Sequence, residues 1–162
     1  MQRNLKIWIV ATYKNNELVR LQDNLKNQNF KFYNPKINRS KLNSSPKEEF
    51  LFPGYIFIYA ELKDYSKIKY TKGISSVIRF SNNIAIMDDD EINQLKKIEY
   101  ESYTKPIIQK VFVGQEGTIS EGPLKGSLIT IASLPKKERV NIFIHILGTK
   151  RKVTASLNEI KL

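Results

Sequence analysis

The sequence lacks cysteine altogether and contains one histidine among its 162 residues. The absence of cysteine excludes disulfides, thiolate zinc sites and cysteine nucleophiles, and it fits a reducing compartment. The one histidine, His145, lies in an alternating strand pattern with no evident catalytic partner. A nucleotide-binding glycine loop, a serine triad and a metal-spaced ligand set are also missing from the sequence. We therefore expect no enzyme activity, no catalytic residues, no metal and no cofactor.

Long apolar stretches are missing as well. The apolar runs stop well short of the ~20 residues that a membrane span requires. The first ten residues lack the apolar core and the small-residue cleavage site of a secretory signal. We expect a cytoplasmic monomer with no membrane partner.

Positive charge is abundant. The net charge is +11, from 27 Lys and Arg against 16 Asp and Glu. Residues 1–47 hold ten basic and two acidic residues, and residues 105–162 hold ten and four. This balance favours polyanionic partners such as nucleic acid or anionic lipid. It does not decide the matter alone, because Lys-rich and Asn-rich proteins of AT-rich genomes carry similar charge without a nucleic-acid role.

The chain begins with a strand pattern followed by a helix pattern. Residues 6–13 are β-branched and aromatic, which predicts a buried strand. Asn15 and Asn16 offer the cap of the helix that follows. The apolar stripe of this helix consists of Leu18, Leu21 and Leu25. Its opposite face carries Arg20, Asn24 and Asn27, a polar pattern that is usually a solvated surface.

Two further strands are predicted before residue 60. Residues 30–37 favour a strand, whereas residues 38–47 have no periodic apolar residue and predict a flexible hairpin tip or loop. Residues 51–59 return to strand character. Because Pro53 has no N–H to donate to a sheet, the paired part of this strand should begin after Pro53 and Gly54.

A strand and a helix complete the N-terminal part. The turn at residues 71–73 precedes a predicted strand over residues 74–80. Asp88 and Glu91 have the spacing of a capping box, and successive aspartates at a helix start favour the positive end of the helix dipole more often than a cation. The apolar side of this helix consists of Ile92, Leu95 and Ile98. Residues 100–106 predict a linker.

The C-terminal part has a different pattern. Residues 110–162 show no amphipathic helix by periodicity. Predicted strands lie near residues 118–119, 127–134, 139–147 and 152–155. In the third of these, Val140, Ile142, Ile144 and Ile146 alternate with other residues, as in a small barrel. We predict an α+β fold, with a domain over residues 1–103, a linker over 104–109 and a C-terminal domain over 110–162.

Several motifs, in this order, resemble the NusG family. They are the strand of residues 6–13 with its Trp8, the following helix with its polar face, Leu51-Phe52-Pro53-Gly54-Tyr55-Ile56-Phe57-Ile58, Thr71-Lys72-Gly73-Ile74 and Gly122-Pro123-Leu124-Lys125-Gly126. The resemblance covers nearly the whole chain. It implies an N-terminal α/β sandwich domain, termed NGN, followed by a small C-terminal KOW β-barrel, and a transcription elongation factor that binds RNA polymerase.

Finer details resemble the RfaH-like specialised members more closely than general NusG. The residues Thr71-Lys72-Gly73 and Val77-Ile78-Arg79-Phe80 resemble the corresponding segments of RfaH-like members. The C-terminal region also lacks the second glycine of general NusG and has Ile129 near that position. This implies an operon-specific antitermination factor that binds the polymerase clamp helices, suppresses pausing and termination, and is recruited through the non-template DNA strand. It also implies a possible alternative helical hairpin of the C-terminal domain, and the ribosome as that domain's partner.

The resemblance assigns roles to individual residues. The clamp-binding residues are Tyr55, Phe57 and Phe80. A second polymerase contact falls on Asp64, Tyr65 and Ser66, where the aspartate departs from the RfaH histidine. The DNA-binding residues are Lys14, Arg20, Asn24, Asn27, Thr71, Lys72, Gly73 and Arg79. An ion pair between the two domains maps to Glu49 and Arg139.

Other interpretations remain open at the level of sequence. The chain fits a general NusG factor, with Rho as its partner, less closely than it fits an RfaH-like factor. A KOW-type RNA-binding or ribosome-binding protein is a further alternative. Residues 55, 57 and 80 fit a core role as well as a docking role, and Glu49 and Arg139 fit two unrelated surface charges. The β-branched residues of 140–146 favour a barrel over a helical hairpin as the intrinsic C-terminal fold.

Overall fold

The computed structural model describes residues 5–38, 47–104, 111 and 113–162. The chain forms two compact units, one of residues 1–77 with 86–106 and one of residues 78–85 with 107–162. In chain order the elements are β1 (Lys6–Tyr13), α1 (Leu18–Asn27), β2 (Lys31–Tyr33), β3 (Lys36–Asn38), β4 (Glu48–Phe50), β5 (Tyr55–Glu61), α2 (Tyr65–Lys69), β6 (Ile74–Val77), β7 (Arg79–Phe80), β8 (Asn83–Ile84), β9 (Ile86–Met87), α3 (Asp89–Ser102), β10 (Glu116–Ile119), β11 (Leu128–Ile131), β12 (Arg139–Ile146), β13 (Thr149–Ser156) and β14 (Ile160–Lys161). The architecture is mixed α/β.

Strand β1 lies at the centre of the sheet of the first unit. The strand order is β2-β5-β1-β6, β9 also pairs with β1, and all of these pairs are antiparallel. Tyr59, Phe57 and Tyr55 of β5 lie opposite Trp8, Val10 and Thr12 of β1. Because successive side chains of a strand point to opposite faces, these six residues share one face of the sheet.

Helix α3 packs over the tryptophan end of that face. The indole N–H of Trp8 donates a hydrogen bond to Asp89 Oδ1 at 3.1 Å. The ammonium group of Lys96 lies 6.0 Å from the centroids of both the Trp8 and the Tyr33 rings, within cation–π range. The start and the middle of α3 are thereby joined to the sheet.

The predicted first helix is confirmed, but its predicted cap is wrong. Helix α1 buries Leu21 and Leu25, as its apolar stripe indicated. The cap position is Glu17, whose side chain makes no capping hydrogen bond. Asn16 has φ of 62°, in the left-handed region, and the backbone N–H of Glu17 donates to the Lys14 carbonyl. A tight turn therefore occupies the place predicted for the asparagine cap.

The capping box of α3 is confirmed. Asp88 Oδ1 accepts the Glu91 N–H at 2.7 Å, and Glu91 Oε2 accepts the Asp88 N–H at 2.9 Å. The linker predicted from residue 100 starts too early, because α3 continues to Ser102. The Ser102 hydroxyl donates to the Glu99 carbonyl and accepts the Asn38 N–H, which holds this last turn against β3. Residues 105–109 lie outside the described residues.

Proline shapes the strands between α1 and β5. The predicted strand over 30–37 is broken by Asn34 and Pro35 into β2 and β3, because proline has no N–H for the ladder. Strand β3 pairs with β4 in antiparallel fashion, and Asn38, predicted to begin the hairpin tip of residues 38–47, belongs to β3 instead. Residues 39–46 of that predicted tip lie outside the described residues. The prediction that pairing begins after Pro53 and Gly54 is confirmed by the start of β5.

The second unit is a seven-stranded sheet in the order β14-β10-β11-β12-β13-β7-β8. The predicted C-terminal strands correspond to β10 through β13, whereas the sequence pattern missed β14. The buried core of this unit consists of Ile119, Ile129, Ile131, Val140, Ile142, Ile144 and Ala155. Three of the alternating β-branched residues of β12, Val140, Ile142 and Ile144, thus lie in the core. His145 points away from the core and is exposed.

The hairpin of β7 and β8 belongs to this second unit. The predicted continuous strand over 74–80 is interrupted at Ile78, so that β6 pairs with β1 whereas β7 pairs with β13. The pairing of β7 with β13 is parallel and sets Arg79 beside Arg151. Local sequence pattern gave no sign of this partner, because the two strands are far apart in the chain.

Candidate functional site

The loop of residues 71–73 lies against α1 at a glycine. Gly73 has φ of +103°, and a Cβ atom placed on it would lie 2.7 Å from Leu21 Cβ. The Gly73 carbonyl accepts the backbone N–H of Lys14 at 2.9 Å. The Asn24 side-chain amide donates to the Lys72 carbonyl at 3.1 Å. Only glycine fits here, both by conformation and by space.

Thr71 holds the same loop in place through hydrogen bonds. Its residue is buried, its hydroxyl donates to the Lys67 carbonyl at 2.8 Å, and it accepts from Gln28 Nε2 at 3.1 Å. Its backbone N–H donates to the Ile68 carbonyl. Thr71 therefore ties the loop to Gln28, directly after α1, and to α2, and its predicted DNA contact stays a prediction.

Most predicted DNA-binding residues lie around the contact between the loop of residues 71–73 and α1. Arg20 is three residues after Glu17 and four before Asn24, so the three share one side of α1, and Arg20 Nη1 lies 3.8 Å from Glu17 Oε1. Lys14 and Lys72 are exposed. We call Lys14, Arg20, Asn24 and Lys72 the loop–helix surface. It presents three cations and one amide beside an ordered loop.

Two predicted DNA-binding residues lie elsewhere. Asn27 is exposed in the last turn of α1. Arg79 lies in β7 of the second unit, where its guanidinium donates to the Asn82 carbonyl at 3.0 Å across the tip of the β7–β8 hairpin. Their roles in DNA binding stay predictions.

The three predicted clamp-binding residues fall into different environments. Tyr55 is buried and Phe57 has 0% exposure, and their ring centroids lie 6.2 Å and 5.8 Å from that of Phe52. Burial raises the pKa of the Tyr55 hydroxyl. Phe80 is 46% exposed and belongs to the second unit. Sequence alone did not distinguish the exposed ring from the two buried ones.

The predicted second polymerase contact lies at the start of α2. Asp64 Oδ2 accepts the Glu61 N–H at 3.2 Å and so caps the short 3₁₀ turn before the helix. Ser66 is exposed, while its carbonyl accepts the backbone N–H of Tyr70. Tyr65 lies 5.9 Å from the Lys69 ammonium group. These contacts define local structure, and the polymerase contact stays a prediction.

The residues of the predicted interdomain ion pair lie in different units. Glu49 Oε1 lies 3.6 Å from the Lys47 ammonium group in the first unit. Arg139 begins β12 in the second unit and is exposed. The pairing of Glu49 with Arg139 stays a prediction.

Sequence reasoning missed two aromatic features. The Tyr103 hydroxyl donates to Glu48 Oε1 at 2.6 Å, and this hydrogen bond raises the pKa of Tyr103 to about 12. Tyr70 stands directly before the loop and is 77% exposed. The sequence did show that Tyr70 adjoins the motif of residues 71–74, and this was an available signal, whereas its exposure is seen only in the structure.

The segment 122–126 forms the predicted turn. The Lys125 N–H donates to the Gly122 carbonyl at 3.1 Å, and the Gly126 N–H donates to the Ile119 carbonyl at 2.8 Å. Within the described parts of the chain, no group of three or more His, Asp or Glu side chains is placed to hold a metal ion. The helices of those same parts include none that is long and apolar enough to cross a membrane.

A family model described as "Transcription termination factor nusG" matches residues 6–96. That match spans more than half of the chain and includes the whole loop–helix surface. The protein belongs to the NusG family, whose members are transcription factors that bind RNA polymerase. The expectation that the chain is not an enzyme is confirmed by this membership.

Two solved structures are similar over nearly the whole chain. One is from "Domain interaction in Thermotoga maritima NusG", with 16% identity, 97% of each chain covered and a TM-score of 0.43. The other is from "Crystal Structure of MjSpt4:Spt5 complex conformation B", with 19% identity, 96% of this chain and 95% of that chain covered, and a TM-score of 0.32.

We expect Gly73→Ala to be more destabilising than Gly54→Ala. Both glycines have positive φ, so either alanine carries backbone strain of about 1–3 kcal/mol. Only at Gly73 does the new methyl group meet α1, which adds overpacking of about 1–3 kcal/mol, whereas nothing lies within 4 Å at Gly54. Urea unfolding followed by the fluorescence of Trp8, in the same unit, measures the difference. Equal losses would refute the role of the close contact.

Proposed function

We propose that this NusG-family chain is an RfaH-like, operon-specific elongation and antitermination factor. It binds the clamp helices of RNA polymerase, suppresses pausing and termination, and is recruited through the non-template DNA strand. The loop–helix surface carries the proposal, because its charged and amide groups are held beside a loop of fixed conformation. In this proposal the N-terminal domain spans residues 1–103, which includes residues 78–85 of the second compact unit. A linker at 104–109 and a C-terminal domain over 110–162 follow.

The chemistry of the loop–helix surface suits an exposed DNA strand. Lys14, Arg20 and Lys72 neutralise phosphates without reading sequence. The Asn24 amide uses one N–H on the Lys72 carbonyl. A second N–H and the amide oxygen belong to the same group, and they match the donors and acceptors of a base edge. Gly73 adds a stretch of backbone without a side chain, which allows close approach.

Docking on polymerase is assigned to Tyr55, Phe57 and Phe80. Phe80 supports it most directly, since nearly half of its surface is accessible to a partner and aromatic anchors dominate such interfaces. A contact through Tyr55 and Phe57 requires a conformation in which these two rings become exposed. Asp64, Tyr65 and Ser66 form the second contact in this proposal.

The C-terminal domain is proposed to be a KOW-like barrel that contacts the ribosome. Its support is the alternation of β-branched residues along β12, with every second residue from Val140 to Ile144 buried in the core. The same β-branched residues disfavour a helical hairpin. In this proposal the ion pair of Glu49 and Arg139 is the interaction that would stabilise that hairpin against the barrel. An exposed pair contributes only ~0–1 kcal/mol and so biases only a closely balanced equilibrium.

We expect Phe80→Ala to weaken binding to RNA polymerase. Loss of an aromatic anchor worth about 2 kcal/mol corresponds to roughly 30-fold weaker binding. The measurement is the affinity of the full chain for core polymerase. Leu128→Ala is the matched control, because Leu128 is a large apolar residue of the same unit with 63% exposure. Tyr55 and Phe57 are unsuitable positions, since truncating a buried ring costs about 3–5 kcal/mol of stability. Unchanged binding of the Phe80 variant rejects this anchor.

We expect Lys72→Ala to reduce the salt dependence of binding to an elongation complex with an exposed non-template strand. Each lost phosphate contact lowers the slope of log K against log salt by ~0.7 for a single strand. Lys97→Ala, an exposed lysine of α3, should leave the slope unchanged. The slope is measured by titrating the full chain against the elongation complex at several salt concentrations. Identical slopes for both variants contradict the strand contact.

Genome-wide occupancy distinguishes a specialised from a general factor. Because recruitment depends on a DNA element, we expect the tagged protein to be enriched over a few operons. Polymerase occupancy mapped in the same cells provides the reference. Uniform association with all transcribed genes would instead identify a general NusG factor, which the family match equally accommodates.

A further inference from the structure

Tyr70 is an exposed aromatic residue at the end of α2, directly before the loop. It is 77% exposed, although its ring is large. Its ring lies 5.5 Å from the Lys69 ammonium group, which also lies 5.9 Å from the Tyr65 ring. One cation is therefore shared by two rings. Most of the Tyr70 ring is left open to a ligand.

The backbone that carries this ring is well ordered. The Tyr70 N–H donates to the Ser66 carbonyl at 3.1 Å. Thr71 beside it is buried and hydrogen-bonded to Gln28, directly after α1, and to Lys67 of α2. Lys72 and Gly73 then contact α1. Tyr70 thus stands between two anchored segments. Because the backbone is held on both sides, binding requires ordering only of the ring's own torsions.

The charges around Tyr70 favour a single nucleic-acid strand over an apolar protein partner. Lys69 and Lys72 flank the tyrosine, and Lys67, which lies 5.5 Å from the Phe30 ring, is exposed in the same segment. An aromatic face with cations around it suits a strand, because bases stack on the ring while the cations neutralise phosphates. An apolar partner would have to desolvate these lysines.

We propose that Tyr70 stacks on an unpaired base of the strand whose phosphates contact Lys72. The inference rests on the proposed non-template strand contact and adds a residue to it. Stacking is tolerant of base identity. Tyr70 therefore supplies affinity and fixes the position of the strand, while Asn24 is left to contact base edges.

The test uses the full chain bound to an elongation complex whose single-stranded non-template segment contains 2-aminopurine. Wild type and Tyr70→Phe should quench its fluorescence, since both present an aromatic face. Tyr70→Ala should lose the quenching and bind about 5- to 150-fold more weakly. Its salt slope should equal that of wild type, because no phosphate contact is removed. The exposed position makes an effect on folding small.

The outcomes separate this inference from the proposed function. If Lys72→Ala lowers the salt slope while Tyr70→Ala keeps both affinity and quenching, stacking is refuted and the strand contact stands. If neither variant differs from wild type, the strand contact fails and the inference fails with it. If Tyr70→Ala weakens binding but leaves the quenching unchanged, Tyr70 contacts polymerase instead, which also overturns the inference.

Discussion

The register of β1 is the constraint on which the first unit depends. The strand is hydrogen-bonded to β5 on one side and to β6 and β9 on the other. Ile74 lies opposite Tyr13, so the residue before β6, Gly73, necessarily lies beside Lys14. A shift of one residue would move every side chain of β1 to the other face. The position of the loop thus follows from sheet pairing.

The loop–helix surface combines a rigid base with exposed ends. The buried parts are Thr71 and the contact of Gly73 with Leu21. The exposed parts are cations and the Tyr70 ring, which are the groups that a polyanion with unstacked bases would meet. A site whose supporting residues are buried and whose binding groups are exposed is preorganised, because little ordering of the chain is required when the ligand binds.

Local pattern predicted the elements whose causes are local. The capping box of α3, the buried stripe of α1 and the start of β5 after Pro53 and Gly54 all depend on residues close in sequence. Other features depend on residues that are distant in sequence: the burial of Phe57, the pairing of β7 with β13 and the close contact of Gly73 with Leu21. The asparagine cap failed for a local reason, because Asn16 adopts a left-handed conformation in a turn that ends at Glu17.

The pairing of Arg79 with Arg151 has a consequence for biosynthesis. About 70 residues separate the two strands in the chain. At ~5–20 residues per second, translation needs roughly 4–14 s to deliver β13 after β7 has been made. The residues of α3 are made in the meantime and belong to the other unit. The β7–β8 hairpin, with the Phe80 ring, therefore remains on the nascent chain without its sheet neighbour until residues 149–156 of β13 have been synthesised.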